Sequence, residues 1–169
     1  LRDLDLLQEM AQHRMISVAI SVTTLDSTLT RVLEPRSSTP EARLRAIREL
    51  SDHGIPTRAM LAPIIPGLTD HELPKMIEAV ADAGVDSAGL ILLRLPLTVQ
   101  PVFLDWLETH APQKRTKIES LIRSTREGQL NQSQFGERFR GTGAIAEQIQ
   151  QTFRVFAKKY KLDGPGTPL

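Results

Sequence analysis

Three short apolar runs, Met15–Val22, Thr57–Ile64 and Ser87–Leu93, limit what this chain can fold into. Each is followed by turn-forming residues, and each is too short to pass for a buried helix. The segments after the first two repeat their apolar residues at helical spacing. Leu44, Ile47 and Leu50 share one face before Gly54, and Leu73, Met76, Ile77 and Val80 share another before Gly84. Strand, helix and strand in alternation build a parallel sheet with right-handed crossovers. The third run is apolar nearly throughout, as expected when both faces of a strand are covered. The expected fold class is therefore α/β, either part of a barrel or an open parallel sheet.

Local signals fix several ends. Thr39 can cap a helix that starts with Pro40 and carries Glu41 in its first turn, and Gly54 stops it. Thr69-x-x-Glu72 reads as a capping box for the next helix, with Pro74 in the first turn and Gly84 at the end. Leu1–Arg14 reads as an amphipathic helix on Leu4, Leu7, Met10 and Ala11. Pro101–His110 reads as another, turning Val102, Phe103, Trp106 and Leu107 inward. Asp26–Thr39 shows no period and reads as a long connection holding Glu34-Pro35-Arg36, for which a loop salt bridge is the plain role. Past Pro112 come a helix near Lys114–Arg126, a polar segment through Gly143 and a last helix near Ala144–Tyr160, with Ile145, Ile149, Phe153 and Phe156 on one face. The chain thus divides into an α/β part over 1–112, a basic helical extension over 113–162 packed on it, and a tail over 163–169 that reads as disordered.

Composition removes several classes of function. With no cysteine, the chain has no disulfide, no thiolate nucleophile and no cysteine-ligated zinc or iron–sulfur cluster of its own. His13, His53, His71 and His110 lack metal-ligand spacing, and no Walker loop, serine elbow or dinucleotide glycine fingerprint is present. There is neither a bilayer-length apolar run nor a cleavable leader, so no membrane role is expected and a cytoplasmic location is. The net charge of +1 conceals an asymmetry: residues 1–112 carry ten Lys/Arg against fifteen Asp/Glu, and residues 113–161 carry eleven against four. Such a basic segment suits nucleic acid, or serves as a solvated helical surface. The chain opens directly in a helix at Leu1 without an initiator methionine, and is expected to be a piece of a longer protein.

Parallel α/β folds gather ligands at the carboxyl ends of their strands. Three places qualify. Ser21, Thr23, Thr24 and Asp26 could hydrogen-bond a ribose or other polyol, or form a turn in which Asp26 caps a short helix. Ala62–Thr69 is an apolar, proline-rich loop suited to a flat group such as a base, with a helix N-terminus nearby, or a stiff connection. Leu92–Pro96 contains Arg94, which needs a carboxylate, phosphate or carbonyl from a ligand or from the protein.

In their order and spacing, the strings SVTTLD, EPR followed by RL, GIPTRAMLAPIIPGLTDHE, SAGLILLRLP and SQFGERFRGTG resemble the C-terminal half of a family of bacterial radical-SAM proteins. These are commonly labelled DNA repair photolyases and are related to spore photoproduct lyase; the resemblance runs from about Leu1 to Tyr160. It implies a partial (β/α)6 barrel, of which this chain supplies the fourth, fifth and sixth strands and the C-terminal extension. In the family, a cysteine triplet in an early loop binds a 4Fe–4S cluster whose open iron chelates S-adenosylmethionine, and reductive cleavage gives a 5′-deoxyadenosyl radical. By match to the family's motifs, Ser21 and Thr23 contact the ribose, and Ala62, Pro63, Ile64 and Ile65 line the adenine pocket. Leu93 and Arg94 lie beside the adenine, and Arg36 of the EPR element contacts a carboxylate or substrate.

The resemblance also implies what this sequence lacks: the cysteine triplet and the first three strands. The chain alone is then expected to be inactive, to need the missing N-terminal half of the barrel, and to self-associate through the faces left open. Spore photoproduct lyase uses a late cysteine as hydrogen donor, so that lyase's chemistry is not expected here unchanged. The alternative is a noncatalytic α/β module holding a nucleotide or a protein partner. A C-x3-C-x2-C triplet upstream in the coding sequence would favour the enzyme; a start site just before Leu1 would favour the module.

Overall fold

A computed structural model describes residues 2–131 and 139–164. Strands β1 (Val18–Ser21), β2 (Thr57–Ile64) and β3 (Ser87–Leu92) form one parallel sheet in the order β1-β2-β3. Seven helices surround it among the described residues: α1 (Leu4–Gln12), α2 (Ser27–Leu33), α3 (Pro40–Asp52), α4 (Leu73–Asp82), α5 (Gln100–His110), α6 (Arg115–Ser124) and α7 (Gly143–Lys159). The expected α/β alternation is present, with α3 and α4 as the crossovers. Residues 132–138 of the expected polar segment, and 165–169 of the expected tail, lie outside the described residues.

Burial alternates along β2. Thr57, Ala59 and Leu61 are buried, whereas Arg58, Met60 and Ala62 are half-buried. The first face meets the helices: Val22, Ala59, Leu61, Ala88 and Leu92 join Ile47 of α3, the Leu73/Met76/Ile77/Val80 stripe of α4, and Ala146, Ile149 and Ala157 of α7 in one core. At about 25 cal/mol per Å² of apolar area removed from water, this packing is what holds the sheet to its helices. The register pairs Ile20 with Ala59 and Ala59 with Ala88, then shifts between Leu61 and Ile64. A second core lies past the strand ends, where Ile65 and Leu95 pack with Phe103 and Leu107 of α5 and Ile118 and Ile122 of α6.

The outer edge of β3 is paired with the later chain. Ala88 N donates to Leu162 O (3.1 Å) and Leu92 N to Phe139 O (2.9 Å), while Leu95 N just beyond the strand donates to Leu130 O (3.0 Å). Among the described residues β1 pairs with β2 alone.

Four expectations need correction. The connection after β1 is not one long loop, since it holds α2, a helix of 7 residues too short to show a period in the sequence; it starts as one reading of Asp26 expected, with Oδ1 accepting from Thr28 N (2.7 Å) and Leu29 N (3.1 Å). Thr69 and Glu72 do not form a capping box. The Thr69 hydroxyl accepts from Ile65 N (2.9 Å), closing the loop on itself, and a 3-10 turn (Asp70–Glu72) precedes α4. Glu72 instead reaches across to the end of β1. Val102 does not turn inward; at 67% exposure it points to solvent, because Phe103 and Leu107 define the buried face of α5. The first strand is also shorter than expected, since the ladder begins at Val18 opposite Thr57 and Met15 is left 65% exposed.

Candidate functional site

The segment after β1 is a knot of side-chain hydrogen bonds. The Thr23 hydroxyl donates to Glu34 Oε1 (3.0 Å), and the Thr24 hydroxyl donates to Glu72 Oε1 (2.7 Å). Leu25 N donates to Glu72 Oε2 (2.8 Å), so one carboxylate fastens the end of β1 to the start of α4. The other Glu34 oxygen takes Arg43 Nη2 (2.5 Å). Arg43 also donates from Nη1 to Ser21 O (3.0 Å) and from Nε to Ser38 O (3.1 Å). One guanidinium on α3 thus fixes the last residue of β1 and both ends of the Glu34–Ser38 loop.

These ties frame a recess of about 600 Å³ at the ends of β1 and β2, lined by Ala19, Ser21, Glu34, Arg36, Ser37, Ser38, Arg43 and Ala62. Three of the residues singled out in the sequence meet there: Ser21, Arg36 and Ala62. Ser21 and Arg36 are exposed, Ala62 and Pro63 half-buried, and the Ala62–Pro63 peptide is cis. Arg36 makes no ion pair among the described residues; the salt bridge of the EPR element runs from Glu34 to Arg43 instead.

The other candidates stand behind or beside the recess. Thr23 is buried and tied to Glu34. Ile64 and Ile65 are fully buried, one in each core. Leu93, half-buried against the second core, joins the neighbouring strand end through its N–H to Ile64 O (2.9 Å). Arg94 is half-buried and makes no hydrogen bond or ion pair among the described residues. Near it, Arg126 is fully buried and donates from Nη2 to Leu92 O and Leu93 O, both at 3.0 Å. Burial, and then the like charge of Arg94, pull the Arg126 guanidinium below the ordinary arginine pKa.

Sequence reasoning missed Arg43, Glu72 and Arg126. No local signal identifies them: the Thr24–Glu72 contact spans 48 residues and the Arg126–Leu92 contact 34.

Residues 1–80 match the family profile described as the Radical SAM superfamily. The chain is 33% identical to the uncharacterized protein Rv2578c of Mycobacterium tuberculosis over 124 residues, covering 72% of this chain and 36% of that protein. It is 33% identical over 90 residues to the uncharacterized protein ORF301 of Acidianus two-tailed virus (50% of this chain, 29% of that protein). It is 35% identical over 72 residues to the uncharacterized protein MJ0683 of Methanocaldococcus jannaschii (43% and 27%). The chain therefore spans about a third of the length of these relatives. No solved structure matches. The residues that match the Radical SAM superfamily profile are those that carry β1, β2 and the whole lining of the recess.

Proposed function

We propose that this chain supplies the S-adenosylmethionine- and substrate-facing part of a radical-SAM enzyme, built as the C-terminal half of a partial (β/α)6 barrel and related to the photolyase-like repair proteins. The observation that carries the reading is the convergence of Ser21, Arg36 and Ala62 on one recess at parallel strand ends, inside the matched residues. Its donor set suits a nucleoside: an exposed hydroxyl for a ribose oxygen, the Ala62–Pro63 edge for a flat ring, and the unpaired Arg36 for a carboxylate. Thr23 acts through Glu34, Ile64 and Ile65 support the ring-facing edge from the core, and Leu93 and Arg94 border the neighbouring strand end.

A metal cluster does not fit these residues. There is no cysteine, and among the described residues no group of His, Cys, Asp and Glu could hold a metal ion. In this reading the cluster ligands belong to another part of the whole protein. When bound, S-adenosylmethionine supplies the radical chemistry; the share of this chain is to orient it and keep water away. The exposed cations Lys117, Arg154, Lys158 and Lys161 support a polyanionic substrate such as nucleic acid.

Equilibrium dialysis with labelled S-adenosylmethionine tests the reading. Saturable binding that weakens roughly tenfold in R36A, as expected for loss of a charge-assisted contact, would support it. Absence of saturable binding to the folded full-length protein carrying its cluster would leave the noncatalytic module in its place. For the nucleic-acid component, binding must fall steeply with added salt.

A further inference from the structure

Arg58 is the single charged residue within the three strands, and the alternation along β2 puts it on the face turned away from the helical core. In register it stands between Ala19 of β1 and Ser87 of β3. The side chain runs along the sheet towards the middle of β3, because Gly89 leaves room for it. A Cβ at Gly89 would meet Arg58 Nη2 at 2.9 Å and Met60 Sδ at 3.1 Å. Arg58 Nε is buried without a hydrogen-bond partner, and so is the hydroxyl of Ser87 beside it. Nor does Arg58 make an ion pair among the described residues.

A guanidinium stays charged at any physiological pH, so these donors cannot be silenced by losing a proton. Nε, removed from water and unanswered, is costly. Two oxygens of a carboxylate or phosphate satisfy Nε and a neighbouring Nη of the planar fork at once. We propose that Arg58, seated over Gly89 and backed by the Ser87 hydroxyl, binds an oxyanion, the carboxylate or phosphate group of a ligand on the open face of the sheet. None of the residues assigned to the cofactor takes part, so the two sites can be tested apart.

The test is an NMR titration of the uniformly 15N-labelled chain, following arginine Nε–Hε signals, with inorganic phosphate in one arm and acetate in the other. Chloride holds the ionic strength constant. The Arg58 signal should shift saturably, and the tighter anion tells a phosphate-bearing ligand from a carboxylate-bearing one. G89A keeps the charge but pushes its methyl against Nη2, and R58K keeps a charge without the fork, its binding read from the backbone amides of Ser87 and Gly89; each should weaken anion binding roughly tenfold or more. S-adenosylmethionine binding should survive in G89A, which separates this site from the recess. Failure of either anion to shift the Arg58 signal in a folded chain, or unchanged binding in G89A and R58K, would overturn the assignment.

Discussion

Replacing Arg43 with alanine should loosen the recess more than any other single change around it. The side chain is 14% exposed and its partner Glu34 25%, so solvent screens the pair only in part. R43A removes three charge-assisted bonds, to Glu34, Ser21 O and Ser38 O. Each is worth about 1.5–3 kcal/mol at most, and the sum overshoots because the freed carbonyls and Glu34 regain water. Glu34 also keeps the Thr23 hydroxyl. The expected net loss is about 2–3 kcal/mol, below the ~3–5 kcal/mol of a fully buried broken pair. With a urea slope of roughly 2 kcal/mol per molar, the midpoint of unfolding should fall by about 1–1.5 M, followed by far-ultraviolet circular dichroism. E34A should cost about 2 kcal/mol, and the double variant less than the sum by at least ~1 kcal/mol. A coupling below about 0.3 kcal/mol would mean that Arg43 and Glu34 act independently, and the account of the recess as framed by this pair would fail.

Glu72 anchors the other half of the knot, so E72A should cost about 2–3 kcal/mol and E72Q roughly half as much, since an amide still accepts one bond; equal losses in urea unfolding would discount the carboxylate. Gly67 has φ +79, and a Cβ there would meet Leu121 Cδ1 at 2.7 Å. G67A should therefore lower stability by ~1–2 kcal/mol from backbone strain alone, and adding L121A should not recover that part. The Glu41 carboxylate, bonded first to its own N–H and then to the Thr39 hydroxyl, titrates below the ordinary glutamate value. Its support for the start of α3 is then complete above that ordinary value and lost as pH falls through the lower, folded one. A carboxyl-detected NMR titration should show this depression, smaller in T39A; a Glu41 that titrates like a free glutamate would contradict it.

What could be read from the sequence were features that act over one turn or one strand. The Thr39-Pro40-Glu41 opening of α3 works through neighbouring residues, and Thr39 Oγ1 does accept from Ala42 N (3.3 Å). The α4 stripe is fully buried because its period is set by the helix itself. Glu72 misled because a glutamate three residues after a threonine looks the same whether it bonds backward to a cap or across to another strand. The recess shows the same division. Ser21, Arg36 and Ala62 were legible as strand-end and loop residues, whereas Arg43 is one of several arginines on a helix and only the fold turns it towards Ser21. Ile64 and Ile65 were legible as apolar, yet the register shift after Leu61 that carries them into the two cores has no signature in composition.

The backbone bonds from Ala88 and Leu92 to the later chain give this sheet a polarity of growth. Among the described residues one flank is bonded at Ala88 and Leu92 to Leu162 and Phe139, and the flank beside β1, where Arg43 holds Ser21 O, has no neighbouring strand. Two copies meeting there about a twofold axis would run antiparallel across the seam and present covered flanks on both sides. Such a pair would leave no bare strand edge among the described residues, and a bare edge is where an open-ended fibre starts.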